Sequence, residues 1–149
     1  MKIAIASDQA GFPLKEKIRK FLAEQKIKAK DFGTHSEKVP VDYPDYAYRV
    51  ARAIKEEKYE RGILICGMGI GMQIAANKVP GIYAARCHDP VSARKARESN
   101  NAQILTLGSL IIGEELAKEV IRVWLASEYQ GRSDVKIAKI RKIEGEFSR

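Results

Sequence analysis

The segment Ile63-Leu64-Ile65-Cys66-Gly67-Met68-Gly69-Ile70-Gly71 constrains the fold most: a short apolar run ends in a cysteine and opens at once into alternating glycines. An apolar run bounded by a glycine turn reads as a strand buried on both faces, the kind found in parallel sheets covered by helices. The turn exposes backbone N–H groups that form a nest sized for an oxyanion, and a helix following it adds positive potential that favours a thiolate. The chemistry this order points to is proton transfer beside an oxyanion. On this segment alone a tight turn next to a small core cysteine is an equally open reading.

Two familiar phosphate loops are excluded by spacing. The glycines read GxGxG, with Met72 and Ile74 where a dinucleotide fingerprint needs its third small residue, and the loop does not follow the first strand. No Lys-Ser or Lys-Thr follows at the distance a P-loop requires.

The 149 residues fit one domain, 1–149, long enough to bury about two-thirds of the unfolded surface. Cys66 and Cys87 show no CxxC spacing, and neither a leader-like apolar segment nor an apolar run of membrane-spanning length is present, so the expectation is a reduced cytoplasmic protein without membrane contact. No pair among Cys66, Cys87, His35 and His88 has zinc-site spacing, and no metal is expected. The net charge of +8 raises the question of nucleic acid. Residues 15–30 hold seven lysines or arginines against two glutamates, on the polar side of a helix whose apolar side is Leu14, Ile18, Phe21 and Leu22. A solvated face explains them, no nucleic-acid-binding signature accompanies them, and a basic field also attracts phosphorylated metabolites.

Apolar runs alternate with helical patterns along the chain, which predicts an α/β fold around a five-stranded parallel sheet. Strands are expected at Lys2–Ala6, Lys28–Phe32, Gly62–Cys66, Ile82–Ala85 and Ile104–Leu107. Helices are expected from Pro13, from near Pro44 with Tyr46, Val50, Ala51 and Ile54 on one face, and over Met72–Asn77, Val91–Glu98 and Glu114–Ala126, the last with Leu116, Val120 and Trp124 inward. An extra C-terminal helix over Ser133–Phe147 carries Ile137, Ile140, Ile143 and Phe147 at helical spacing. With the sheet already covered, this stripe favours docking on a neighbouring subunit over the chain's own sheet. Because ligands of open α/β sheets bind at the carboxyl ends of strands, Asp8, Cys66 and Asn100 are expected on one rim.

Met1–Ser7 with Asp8, Gly33-Thr34, Asp42-Tyr43-Pro44, the stretch ILICGMGIGMQIAANKVPGI, SNNAQILTLGS and GEELAKEVIRVWL together resemble type B ribose-5-phosphate isomerases and the related galactose-6-phosphate isomerase subunits, over nearly the whole chain. The resemblance implies metal-free, cofactor-free aldose–ketose isomerisation of a sugar phosphate through an enediolate. It also implies a Rossmann-like three-layer sandwich, and homodimers or dimers of dimers with sites shared between subunits. Cys66 matches the family's catalytic cysteine; Gly67, Met68, Gly69, Ile70 and Gly71 match its anion hole; Asp8 and Asn100 match polar ligands, and Tyr43 lines the pocket or belongs to the core.

Departures accompany these matches. Gln9 stands where the family has histidine, Met68 where it has threonine, Leu110 where an arginine is common, and Ser99 where the histidine that opens the furanose ring is expected. The arginine-rich phosphate clamp is reduced to Arg132 and Lys136, and lysine does not reproduce a bidentate fork. Serine does not replace imidazole as a proton shuttle near neutrality. Three readings follow: an active phosphosugar isomerase with a substrate other than ribose 5-phosphate open to it, a cysteine-bearing subunit needing a homologous partner chain, and a non-catalytic phosphosugar-binding relative.

Overall fold

Five short apolar segments lie side by side in one parallel sheet of order β2-β1-β3-β5-β4: β1 (Ile3–Ser7), β2 (Ala29–Asp31), β3 (Arg61–Cys66), β4 (Ala84–Arg86) and β5 (Ile104–Gly108). The computed structural model describes residues 1–148 and leaves Arg149 of the expected 1–149 domain outside. Six helices, α1 (Phe12–Glu24), α2 (Tyr43–Lys55), α3 (Ile70–Ala76), α4 (Pro90–Glu98), α5 (Glu114–Ala126) and α6 (Asp134–Phe147), complete the chain.

Alternation along the strands sorts the core into two layers. Ile3, Ile5, Ile63, Ile65, Leu105 and Leu107 face α1, α4 and α5, meeting Ile18, Leu22, Val120 and Trp124. Ala4, Ala6, Leu64, Cys66 and Ile104 face α2 and α3, meeting Val50, Ala51, Met72 and Ala76. Every residue of β1, β3 and β5 is buried, as expected of strands covered on both faces. The three-layer architecture read from the sequence is therefore the one observed, with boundaries moved by one or two residues. The strands at Lys2–Ala6 and Ile82–Ala85 sit at Ile3–Ser7 and Ala84–Arg86, and α3 starts at Ile70 rather than Met72.

Two side chains lie opposite to expectation. Leu116 is 45% exposed, because α5 turns Ala117, Val120, Ile121 and Trp124 inward and the next residue back lies about 100° around the helix. Lys15 is not on the solvated face but fully buried, its ammonium 2.8 Å and 3.0 Å from the two carboxylate oxygens of Asp31 and bonded to the Thr34 carbonyl. The cation is tolerated because it is paired and hydrogen-bonded. Its partners lie next to the Gly33 and Thr34 backbone, which pairs with Ser7 through two 2.7 Å bonds and so places Asp8.

Along α6, Ile137 is buried while Ile140, Ile143 and Phe147 are exposed, so the stripe is present and uncovered within one chain. Among the described residues no helix is long and apolar enough to cross a membrane.

Candidate active site

Cys66 closes β3 at the carboxyl edge of the sheet, opposite Gly108 of β5, and is 5% exposed. The chain then doubles back over β5. Gly69 makes this possible: its φ is +76°, and a side chain there would meet the Leu107 carbonyl carbon at 2.8 Å. In this conformation the Gly69 N–H reaches the Cys66 sulfur at 3.1 Å. The sulfur thus sits at the mouth of the turn with a backbone N–H aimed at it. Cys87, the other free cysteine, has its thiol pushed up to about 11 by burial and by the Asp89 charge, and so stays inert at neutral pH.

Other groups close around this turn. The Tyr43 ring packs on Gly71, where a Cβ would lie 2.5 Å from the ring carbon bearing the hydroxyl. Leu110 lies over Gly67, 3.4 Å from where a Cβ would be, and is 76% exposed at the lip. Asp8 is 8% exposed; its Oδ1 accepts the Gly11 N–H at 2.9 Å, and its own N–H donates to the Ile65 carbonyl. Gln9 accepts the Val41 N–H at 3.1 Å and ties the 33–42 loop to the rim. Asp8, Gln9, Tyr43, Cys66 and the 67–71 turn are thus brought together.

Asn100 is not with them. It and Ser99 follow α4 and precede β5, and in a parallel sheet a helix-to-strand connection lies at the amino ends of the strands. Gly62 pairs with Ile104, so the connection sits at least about 13 Å along the sheet from Cys66, at roughly 3.3 Å per residue. The expectation of one rim for Asp8, Cys66 and Asn100 is corrected by this topology. Arg132 and Lys136 belong to the same far end: the Gln130 N–H donates to the Glu98 carbonyl, and Arg61 at the start of β3 donates to the Ser127 carbonyl. Ser99 is half-buried, while Asn100, Arg132 and Lys136 are exposed.

Both histidines follow strands, at the opposite end of the sheet from Ser99. His35 is 77% exposed beside Asp31. His88 is on the carboxyl rim, but its Nε2 accepts the Gly108 N–H at 2.9 Å, and burial, then the Arg86 charge, lowers its pKa toward the neutral form.

The sequence from residue 3 to 140 matches the ribose/galactose isomerase family model. The chain belongs to that family. A D-erythrulose-4-phosphate isomerase of Pectobacterium atrosepticum is 48% identical over 94% of this chain and 93% of its own. Ribose-5-phosphate isomerase B of Escherichia coli is 42% identical over 96% of each. The structure of a ribose-5-phosphate isomerase B from Clostridium thermocellum superimposes with a TM-score of 0.96 at 46% identity, covering 99% of this chain and all of that one. This family member is accordingly an aldose–ketose isomerase of sugar phosphates. Two of its rim residues, Thr106 and Arg86, were not singled out from the sequence. The signal for them was a lone polar residue inside the apolar run ILTLG and a charge closing Ala84-Ala85-Arg86.

Proposed function

We propose that this chain interconverts the aldose and ketose forms of a short-chain sugar phosphate, four carbons before five, with Cys66 as the proton carrier. The thiolate takes the proton from C2 of the aldose, the C1 oxygen becomes the enediolate oxyanion facing the amides of the 67–71 turn, the proton of the C2 hydroxyl passes to the C1 oxygen, and the Cys66 thiol returns its proton to C1 as C2 becomes the ketose carbonyl. Asp8 and Tyr43 hold sugar hydroxyls. The observation that supports this most directly is the Gly69 N–H on the Cys66 sulfur at the mouth of that turn.

Chain length follows from what position 99 lacks. A five-carbon 5-phosphate closes a furanose through its C4 oxygen and needs an acid to reopen it. In a four-carbon 4-phosphate that oxygen is esterified, the five-membered ring does not form, and no ring-opening imidazole is required. Ser99, Gln9 and the occupied Nε2 of His88 fit the second case. So does the activity named for the Pectobacterium relative, which acts on a tetrulose phosphate.

Within one chain the Cys66 group and the group of Ser99, Asn100, Arg132 and Lys136 lie at opposite ends of the sheet, which supports a homodimer whose sites each take one group from either copy. Arg132 and Lys136 then hold the phosphate. The two free cysteines and a phosphorylated substrate fit the cytoplasm. Purified protein assayed against erythrose, erythrulose, ribose and ribulose phosphates tests the reading: highest kcat/KM on the tetrose pair is expected. Preference for the pentose pair overturns the chain-length argument, and binding without turnover, or turnover only with a second gene product, overturns the homodimeric enzyme.

A further inference from the structure

Four consecutive carbonyls follow one another through the turn after Cys66, and each is engaged by a donor from the β4–β5 side. The Ser109 N–H donates to the Cys66 carbonyl at 2.9 Å and the Leu110 N–H to the Gly67 carbonyl at 3.0 Å. Arg86 Nε donates to the Met68 carbonyl at 2.6 Å, and the Thr106 hydroxyl to the Gly69 carbonyl at 2.8 Å. The first two bonds are backbone and any sequence can make them. The Met68 carbonyl depends on a side chain for its bond, and the Gly69 carbonyl takes its shorter bond from a side chain, beside the longer 3.3 Å one from the Gln73 N–H that opens α3.

We propose that Arg86 and Thr106 are positioning residues for the anion-binding turn, holding the Met68 and Gly69 carbonyls outward so that amides, not carbonyl oxygens, face the enediolate. This rests on the isomerase reading given above. A trans peptide unit is planar, with its C=O and the next N–H pointing in opposite directions, so fixing one aims the other. Arg86 on the Met68 carbonyl thereby aims the Gly69 N–H, which is found on the Cys66 sulfur. Thr106 on the Gly69 carbonyl aims the Ile70 N–H, which as the first helical residue has no intrahelical acceptor. The turn needs holding because Gly69 is at positive φ, where rotation of the adjoining peptide meets no Cβ, and a rotated peptide would turn an oxygen toward the oxyanion. Thr106 is completely buried between Leu105 and Leu107, and the Gly69 carbonyl is the partner of its hydroxyl. A buried hydroxyl with no partner would be destabilising, so its presence in this strand is accounted for by the turn.

The test compares Thr106→Val, Thr106→Ser and Arg86→Met in the full-length protein. Readouts are kcat and KM, melting temperature, and the affinity of two probes: 3-phosphoglycerohydroxamate, whose carbonyl and nitrogen stand for C2 and C1 of the four-carbon enediolate, and a tetritol 4-phosphate, which has no such group. Thr106→Val and Arg86→Met should each lower kcat about 10–100-fold with KM within about 3-fold. Hydroxamate affinity should fall in step with kcat, tetritol phosphate affinity should hold, and Thr106→Ser, which keeps the hydroxyl, should stay near wild type. The double variant should lose less than the product of the single losses, since both bonds hold one turn. Unchanged kcat in both variants, equal loss of both probes, or failure of Thr106→Ser to rescue overturns the proposal. Should Thr106→Val not fold, part-exposed Arg86→Met carries the test. Full activity in Cys66→Ala would instead bring down the underlying catalytic reading, whereas an inactive Cys66→Ala beside fully active Thr106→Val and Arg86→Met removes only this inference.

Discussion

Gly69 donates its backbone N–H to the sulfur of Cys66 across 3.1 Å, so the residue that lets the chain double back also partners the thiol beside it. If Cys66 carries the proton, Cys66→Ala should lower kcat about 10²–10⁴-fold, the usual cost of losing a general base. Melting temperature and phosphosugar affinity should change little, since the sulfur is a small part of the core. An assay following ketose formation, beside a thermal melt, checks both.

The separation of the two groups predicts complementation. Cys66→Ala and Arg132→Ala should each be nearly inactive alone. After mixing and reassembly, half the dimers carry one chain of each kind, each with one intact site, and activity should return to about a quarter of wild type. No recovery would place both groups of a site in the same chain.

Burial pushes the Asp31 carboxyl up, but hydrogen bonds from Lys15 and the Gly33 N–H, with the charges of Lys15 and Arg19, hold it on balance below its usual 3.8. A carboxylate lowered in the folded state stabilises it above the unfolded pKa, and that stabilisation disappears as pH falls through the folded value. Urea melts from pH 6 to pH 2 should therefore show a loss below about pH 4 that Asp31→Asn removes. Lys15→Met, which leaves that carboxylate buried without its main partner, should cost about 3 kcal/mol at neutral pH.

Restoring the absent imidazole separates ring opening from proton transfer. Ser99→His should raise turnover of ribose 5-phosphate, which closes a ring, and leave turnover of erythrose 4-phosphate unchanged. An equal rise for both sugars would mean that the new histidine acts on something other than the ring oxygen.

The sheet and most of its helices were legible because burial on both faces leaves near-continuous apolar runs, as in Ile63–Cys66 and, broken only by Thr106, Ile104–Leu107, and because Pro13 and Pro44 mark first helical turns. Lys15 was not legible: a lysine in a charged stretch reads as solvated, and nothing local reveals that Asp31, in another element, waits for it. The error over Asn100 has a different origin. Residues after a helix enter a parallel strand from its amino end, so its position was implied by the element order, and the rim rule holds only for residues that follow strands. The cysteine and its turn were legible because strand, thiol and glycines are contiguous. Arg86 and Thr106 were not, because their bonds to Met68 and Gly69 cross between strands.

Gly69 is packed against the Leu107–Gly108 backbone, and a Cβ on Gly108 would meet the Met68 carbonyl carbon at 2.6 Å. These two glycines are therefore fixed from behind by the scaffold, whatever sugar is bound in front. Met68, Ile70 and Leu110, by contrast, are exposed around the same turn. For anyone seeking to retarget the enzyme by library selection, the productive diversity lies at those three apolar positions, and variants that touch the paired glycines will fail at folding before selection can act on them.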